Sequence, residues 1–133
     1  MRHFRLLAVS FALFLVFIIL VADLGLLNDF FLFINRLPYA DTLGHFILLG
    51  LLSLLVSLGF SNARLQGSGP ALLKSSLLIA GLITLEEFSQ LFLANRRFSL
   101  LDLWANYAGI WLFGELGALV RKRLESNSTQ PEA

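Results

Sequence analysis

Four apolar stretches, separated by short polar interruptions, set the pattern of this chain. The first, residues 6–22, carries no charge and lies between Arg5 and Asp23. A helix rising about 1.5 Å per residue over that length nearly crosses a hydrocarbon core of about 30 Å. Arg2 and Arg5 also give the basic start of a signal peptide, but the run is long for a signal and no A-x-A site follows it. It reads as a retained span. The second stretch, residues 43–60, has His45 as its one ionisable member; the third covers residues 72–93 and the fourth residues 100–120. Between the first two, "DLGLLNDFFLFINRLPYA" allows a short interfacial helix through "FFLFI", stopped by Pro38. "SNARLQGSGP" reads as a loop, and residues 124–133 as a polar, disordered tail. The pattern predicts an all-α, polytopic membrane protein: four transmembrane helices in a compact bundle, formed by residues 1–123.

Composition agrees with this reading. The 133 residues are 57% hydrophobic and only 14% charged, with 13 Phe and a mean hydropathy of +0.78. A soluble domain of this size could not hide so much apolar surface. A net charge of +1, without a basic stripe interleaved with aromatics, argues against nucleic acid as a partner. The absence of cysteine removes disulfides, thiolate metal sites and cysteine nucleophiles. One His and several carboxylates could bind a divalent ion, but no H-E-x-x-H or comparable spacing is present, so no metal is expected; no cofactor is expected either.

Four spans return both termini to one side. Arg2, Arg5, Arg64, Lys74, Arg121, Lys122 and Arg123 then share that side, and Arg36, Arg96 and Arg97 the other. The positive-inside rule places both termini in the cytoplasm.

This topology gathers polar groups at the outer level of the membrane. Asp41 and His45 open the second span, four residues apart on one helical face. Glu86, Glu87 and Gln90 lie in the outer part of the third span, and Arg96 and Arg97 in the outer turn. Asp102, Asn106 and Gly109 fall in one stripe, about 60° wide, at the start of the fourth. Gln90 lies between Glu86 and Glu87 around its helix, so one of these acids can face inward beside it. A charge within a span costs about 2.5–3.5 kcal/mol on insertion scales, less near the interface, so such groups should pair, protonate or face the bundle. Each feature also has a structural reading. Asp41 could cap its helix, and Ser99-x-x-Asp102 fits a capping box. Gln90 and Asn106 could be interhelical hydrogen-bond glue, and Ala105-x-x-x-Gly109 a close-packing stripe. Glu115 sits at the cytoplasmic end, within reach of Arg121, Lys122 or Arg123, and is set apart from the site. Convergence of Asp41, His45, Glu87, Gln90, Arg96, Asp102 and Asn106 is harder to explain by independent caps.

At these residues the chain resembles the VanZ-like family of small bacterial membrane proteins. "DTLGHFILLGLL" looks like the family's D-K-x-x-H-F start of a span, and "EEFSQLFLANRRFSLLDLWANYAG" like its E-x-x-Q-x-F-x-x-x-R-x-x-S-x-x-D-x-x-x-N-x-x-G block. The matching positions are Asp41, His45, Glu87, Gln90, Arg96, Ser99, Asp102, Asn106 and Gly109. Thr42 stands where the family usually has Lys, and Ala94-Asn95 where it usually has Pro-Gly. The resemblance implies a multi-pass protein of the bacterial cytoplasmic membrane in a family linked to resistance to the glycopeptide teicoplanin.

The leading expectation is a module at the outer leaflet that binds or modifies an amphipathic envelope molecule. Membrane lipids or such an envelope ligand are its expected partners. Arg96 would bind phosphate or carboxylate, Glu87 would act as acid or base, and His45 with Asp41 would be the proton partner. Gln90, Asp102 and Asn106 would hold the ligand, with Ser99 and Gly109 structural. Whether the site is catalytic stays open. A small transporter or proton relay, and a non-catalytic membrane scaffold, are the competing readings.

Overall fold

The computed structural model describes residues 1–60, 63–65 and 72–129. Helices α1 (Arg2–Asp23), α2 (Asn28–Ile34), α3 (Ala40–Gly59), α4 (Lys74–Ser89) and α5 (Leu100–Ser128) account for most of it. Two short strands, β1 (Arg64–Leu65) and β2 (Leu72–Leu73), pair antiparallel with Arg64 opposite Leu73. The expected loop over residues 61–70 therefore carries a strand in its described part; residues 61–62 and 66–70 lie outside the described residues. A 3-10 turn, Gln90–Phe92, prolongs α4.

Among the described residues, α1 and α3 are long and apolar enough to cross a membrane. The other two expected spans differ for identifiable reasons. α4 has 16 residues, about 24 Å of helix, and ends among Glu86 and Glu87. α5 is longer, but Asn106, Tyr107 and Glu115 lower the hydropathy of the stretch between Asp102 and Arg121.

Helices α3 and α5 form the central pair, with α1 packed on α3 and α4 on α5. Small residues allow the central approach. A Cβ at Gly109 would press into the Phe46 carbonyl oxygen, and one at Gly117 would lie 2.8 Å from the Leu54 oxygen. The Ser53 hydroxyl donates to the Ile110 carbonyl at 2.7 Å and lies 3.3 Å from Ser76 Oγ, joining α3, α4 and α5. Leu49, Ile79, Ile83 and Ile110 make the apolar core beside it. The outward surface is also apolar: Leu13 and Phe17 of α1, Leu78, Leu82 and Leu85 of α4, and Trp104, Leu112 and Leu119 of α5 are all exposed.

Cationic residues tie the chain together at one end. Arg5 Nε donates to the Gly59 carbonyl at 2.7 Å, Arg121 donates to the Phe60 carbonyl, and Arg64 forms a two-pronged pair with Glu115 at 2.8 Å each. Glu115 thus pairs with the hairpin, not with the basic run that follows it. Arg121 points about 120° away around the helix and pairs instead with Glu125, one turn on, at 2.7 Å. That pair, with the Ser126, Ser128 and Thr129 hydroxyls bonded back to carbonyls, carries α5 to Ser128. Residues 124–128, expected to be disordered, are therefore helical, and residues 130–133 lie outside the described residues.

Candidate functional site

The opposite end of the bundle holds the polar groups. Ser99, extended at φ −135°, caps α5: its hydroxyl accepts the Asp102 N–H at 3.3 Å. In a capping box the acid three residues on would accept the cap residue's own N–H. Here that N–H goes across to α4, donating to Glu87 Oε1 at 3.2 Å. Glu87 takes the reciprocal half of the box, which releases the Asp102 carboxylate for other work. Glu87 Oε2 receives the Gln90 amide at 3.4 Å, and the same amide spans both oxygens of Glu86 at 3.0 and 3.1 Å. Of the adjacent glutamates, Glu87 is the one that turns inward, with only 1% of its surface exposed.

Helix α3 meets this assembly with its first two turns. Thr42 Oγ1 donates to Asp102 Oδ1 at 2.7 Å, and His45 Nδ1 lies 3.2 Å from Asn106 Oδ1. On its other side, His45 Nε2 is 3.8 Å from Asp41 Oδ1. Asp41 does not cap α3. Tyr39 holds the cap position with a left-handed φ of 61°, which places Asp41 within the first helical turn. There its charge suits the positive end of the helix dipole. Ligand-type atoms of Asp41, His45 and Asp102 all lie within 4.8 Å of one another. No linear motif announces such a group, because α3 and α5 each supply part of it.

Arg96 lies beside this cluster and is already neutralised. Its Nε is 3.5 Å from Asp23 Oδ1, its terminal nitrogen 3.8 Å from Glu86 Oε1, and its guanidinium covers the Phe31 ring at 5.5 Å. Three elements converge on it: the end of α1, helix α2 and the end of α4. Gly25 makes this possible, with φ +75° and a Cβ position only 2.8 Å from Asn95 Nδ2. A side chain there would be strained and would push the α1–α2 link off the outer turn. Arg97 is exposed.

The expected residues thus divide into two contiguous groups. Asp41, His45, Glu87, Gln90, Asp102 and Asn106 meet where α3, α4 and α5 converge. Arg96 belongs to the neighbouring ion cluster with Asp23 and Glu86. Gly109 lies one turn below Asn106 at the α3–α5 crossing. Sequence reasoning overlooked Asp23 and Thr42. Asp23 had a signal, since it ends the first apolar run at the level of Asp41. Thr42 had none beyond its place one residue after Asp41.

Comparison with protein-family models, curated proteins and solved structures finds no match.

Proposed function

We propose that the chain is a four-span protein of VanZ-like type in the bacterial cytoplasmic membrane, with both termini cytoplasmic. Its polar end binds the head group of an amphipathic envelope molecule from the outer side. One observation carries the reading: Glu87, Gln90, Asp102 and Asn106 are all buried at one end of a bundle whose outward surfaces are apolar. Buried ionisable groups in such a bundle are functional candidates by default. Contiguous exposed leucines on α4 and tryptophans on α5 suit contact with lipid chains, which supports four spans although α4 is short. The basic residues Arg5, Arg64 and Arg121 gather at the opposite end, as a cytoplasmic face requires. Within this reading Arg96, held by two carboxylates, shapes the site, while the exposed Arg97 beside it offers a guanidinium to a head-group phosphate.

Native mass spectrometry of the protein extracted from bacterial membranes tests this. The expected result is a retained phosphate-bearing amphiphile in the wild type, its head-group hydroxyls on Asp102 and its phosphate on Arg97, that is lost in Asp102→Asn and Arg97→Ala, with both variants still folded. Equal lipid retention by all three proteins would remove the reading.

Transport keeps one observation in its favour. Below the polar end, Ser53 and Ser57 are buried, and the Ser57 and Ser75 hydroxyls have no hydrogen-bond partner among the described residues. Such hydroxyls could line a path toward the basic end. Solute or proton flux in proteoliposomes, blocked by Glu87→Gln, would favour transport over head-group binding.

A further inference from the structure

We infer that Asp41, His45 and Asp102 form a binding site for a divalent first-row transition metal, with Zn²⁺ as the representative ion. Charge supplies the first reason. Asp41 and Asp102 share a space within 4.8 Å, and Glu87 is close enough to feel the Asp102 charge. Arg96, the cation on the adjoining Glu86, is committed to that glutamate and to Asp23. Thr42 gives Asp102 one hydrogen bond but no charge. A divalent cation balances the two aspartates where an imidazolium would balance only one.

Orientation supplies the second. Asn106 Oδ1 lies 3.2 Å from His45 Nδ1, a placement in which an Nδ1–H donor leaves the Nε2 lone pair free for an ion. Nε2 is the nitrogen turned toward Asp41. A carbonyl that fixes the imidazole tautomer in this way is the usual outer support of a metal-bound histidine. The Thr42 hydroxyl orients the Asp102 carboxylate in the same manner.

The third reason is the other end of the same amide. Asn106 is fully buried, yet its Nδ2 has no hydrogen-bond partner among the described residues. A buried amide donor left unpaired costs about 1–3 kcal/mol. Asn106 lies one helical turn from Asp102 and against His45, so its amide is at the site and calls for an acceptor there. An oxygen held in an open position of the ion, from water or from an anionic ligand, is such an acceptor. Three protein ligands and one exchangeable oxygen make the arrangement of catalytic rather than structural zinc.

Tetrahedral Zn²⁺ with bonds of about 2.0–2.1 Å sets its ligand atoms about 3.4 Å apart. The observed separations are 3.8 Å between His45 and Asp41 and at most 4.8 Å within the group. Closure requires movement of about an ångström, and Asp41, 48% exposed, is the arm free to make it. The mixed imidazole and carboxylate set favours zinc and its neighbours over Mg²⁺ or Ca²⁺, which prefer oxygen alone.

The ion shares Asp102 and Asn106 with the proposed head-group site but needs no bound head group, and its test separates the two. Chelator-stripped full-length protein in detergent is titrated with Zn²⁺ by calorimetry and with Co²⁺ by visible absorption. One ion per chain is expected, with a Co²⁺ spectrum of four- or five-coordinate type. His45→Gln and Asp102→Asn should each weaken binding at least tenfold. Asn106→Ala, an outer-support change, should weaken it about 10- to 100-fold. Asp29→Asn, an exposed acid on α2, should bind like the wild type. Lack of saturable binding by folded wild-type protein overturns the site, as do His45→Gln and Asp102→Asn variants that bind normally. Lipid retention measured with and without EDTA reports on the head group separately, so either idea can fail alone.

Discussion

Replacing Glu87 separates its geometry from its charge. Its carboxylate accepts the Ser99 N–H at 3.2 Å and the Gln90 amide at 3.4 Å, almost wholly shielded from solvent. In Glu87→Ala both acceptors go. Gln90 keeps its two bonds to Glu86, so the group left without a partner is the Ser99 N–H at the start of α5. An orphaned buried donor costs about 1–3 kcal/mol, and the void left by the side chain adds to it, for a total of about 2–4 kcal/mol. Glu87→Gln retains a carbonyl oxygen for Ser99 and sacrifices only the long contact with Gln90. Its expected cost is about 1 kcal/mol. Thermal unfolding of the detergent-solubilised proteins, followed by circular dichroism, measures the difference. A Glu87→Ala protein as stable as wild type, or a Glu87→Gln protein as unstable as Glu87→Ala, would refute the role assigned to that carbonyl-type acceptor. If Glu87→Gln is stable yet loses its retained lipid, Glu87 is not merely scaffolding.

Two further substitutions probe the parts that place the site. Gly109→Ala forces a methyl against the Phe46 carbonyl and should cost at least about 1–3 kcal/mol in the same assay. Gly81→Ala, with open space around its Cβ position, should be neutral or stabilise by up to about 1 kcal/mol. Arg96→Ala leaves Asp23 and Glu86 without their shared cation and should cost about 1–3 kcal/mol, part of which Glu86→Gln in the same chain restores. Full additivity of that pair would show that the ion cluster does not couple the elements.

Much of this arrangement was legible along the chain because the signals were local. The apolar runs located α1 and α3. The Asp41–His45 spacing survives as a shared face, Ser99 as the cap of α5, and Gly109 as a point of close approach. What escaped depends on partners distant in sequence. Nothing near Glu115 points to Arg64, and nothing near Ser99 shows that Glu87 will accept its N–H. The length of α5 escaped for a different reason. The polarity of residues 124–128 suggested disorder, but the Arg121–Glu125 pair supports an exposed helix that needs no apolar face. Choosing between Glu86 and Glu87 required knowing which side of α4 meets α5.

The absence of native cysteine permits the most direct test of an outward-facing site on a four-span bundle. Arg97→Cys and Lys122→Cys proteins are expressed separately and exposed, in intact cells, to a membrane-impermeant maleimide. The expected result is labelling of Arg97→Cys in intact cells and of Lys122→Cys only after lysis. Were only α1 and α3 to cross, the α4–α5 hairpin would stay on the cytoplasmic side, and protection of Arg97→Cys in intact cells would contradict the proposed topology.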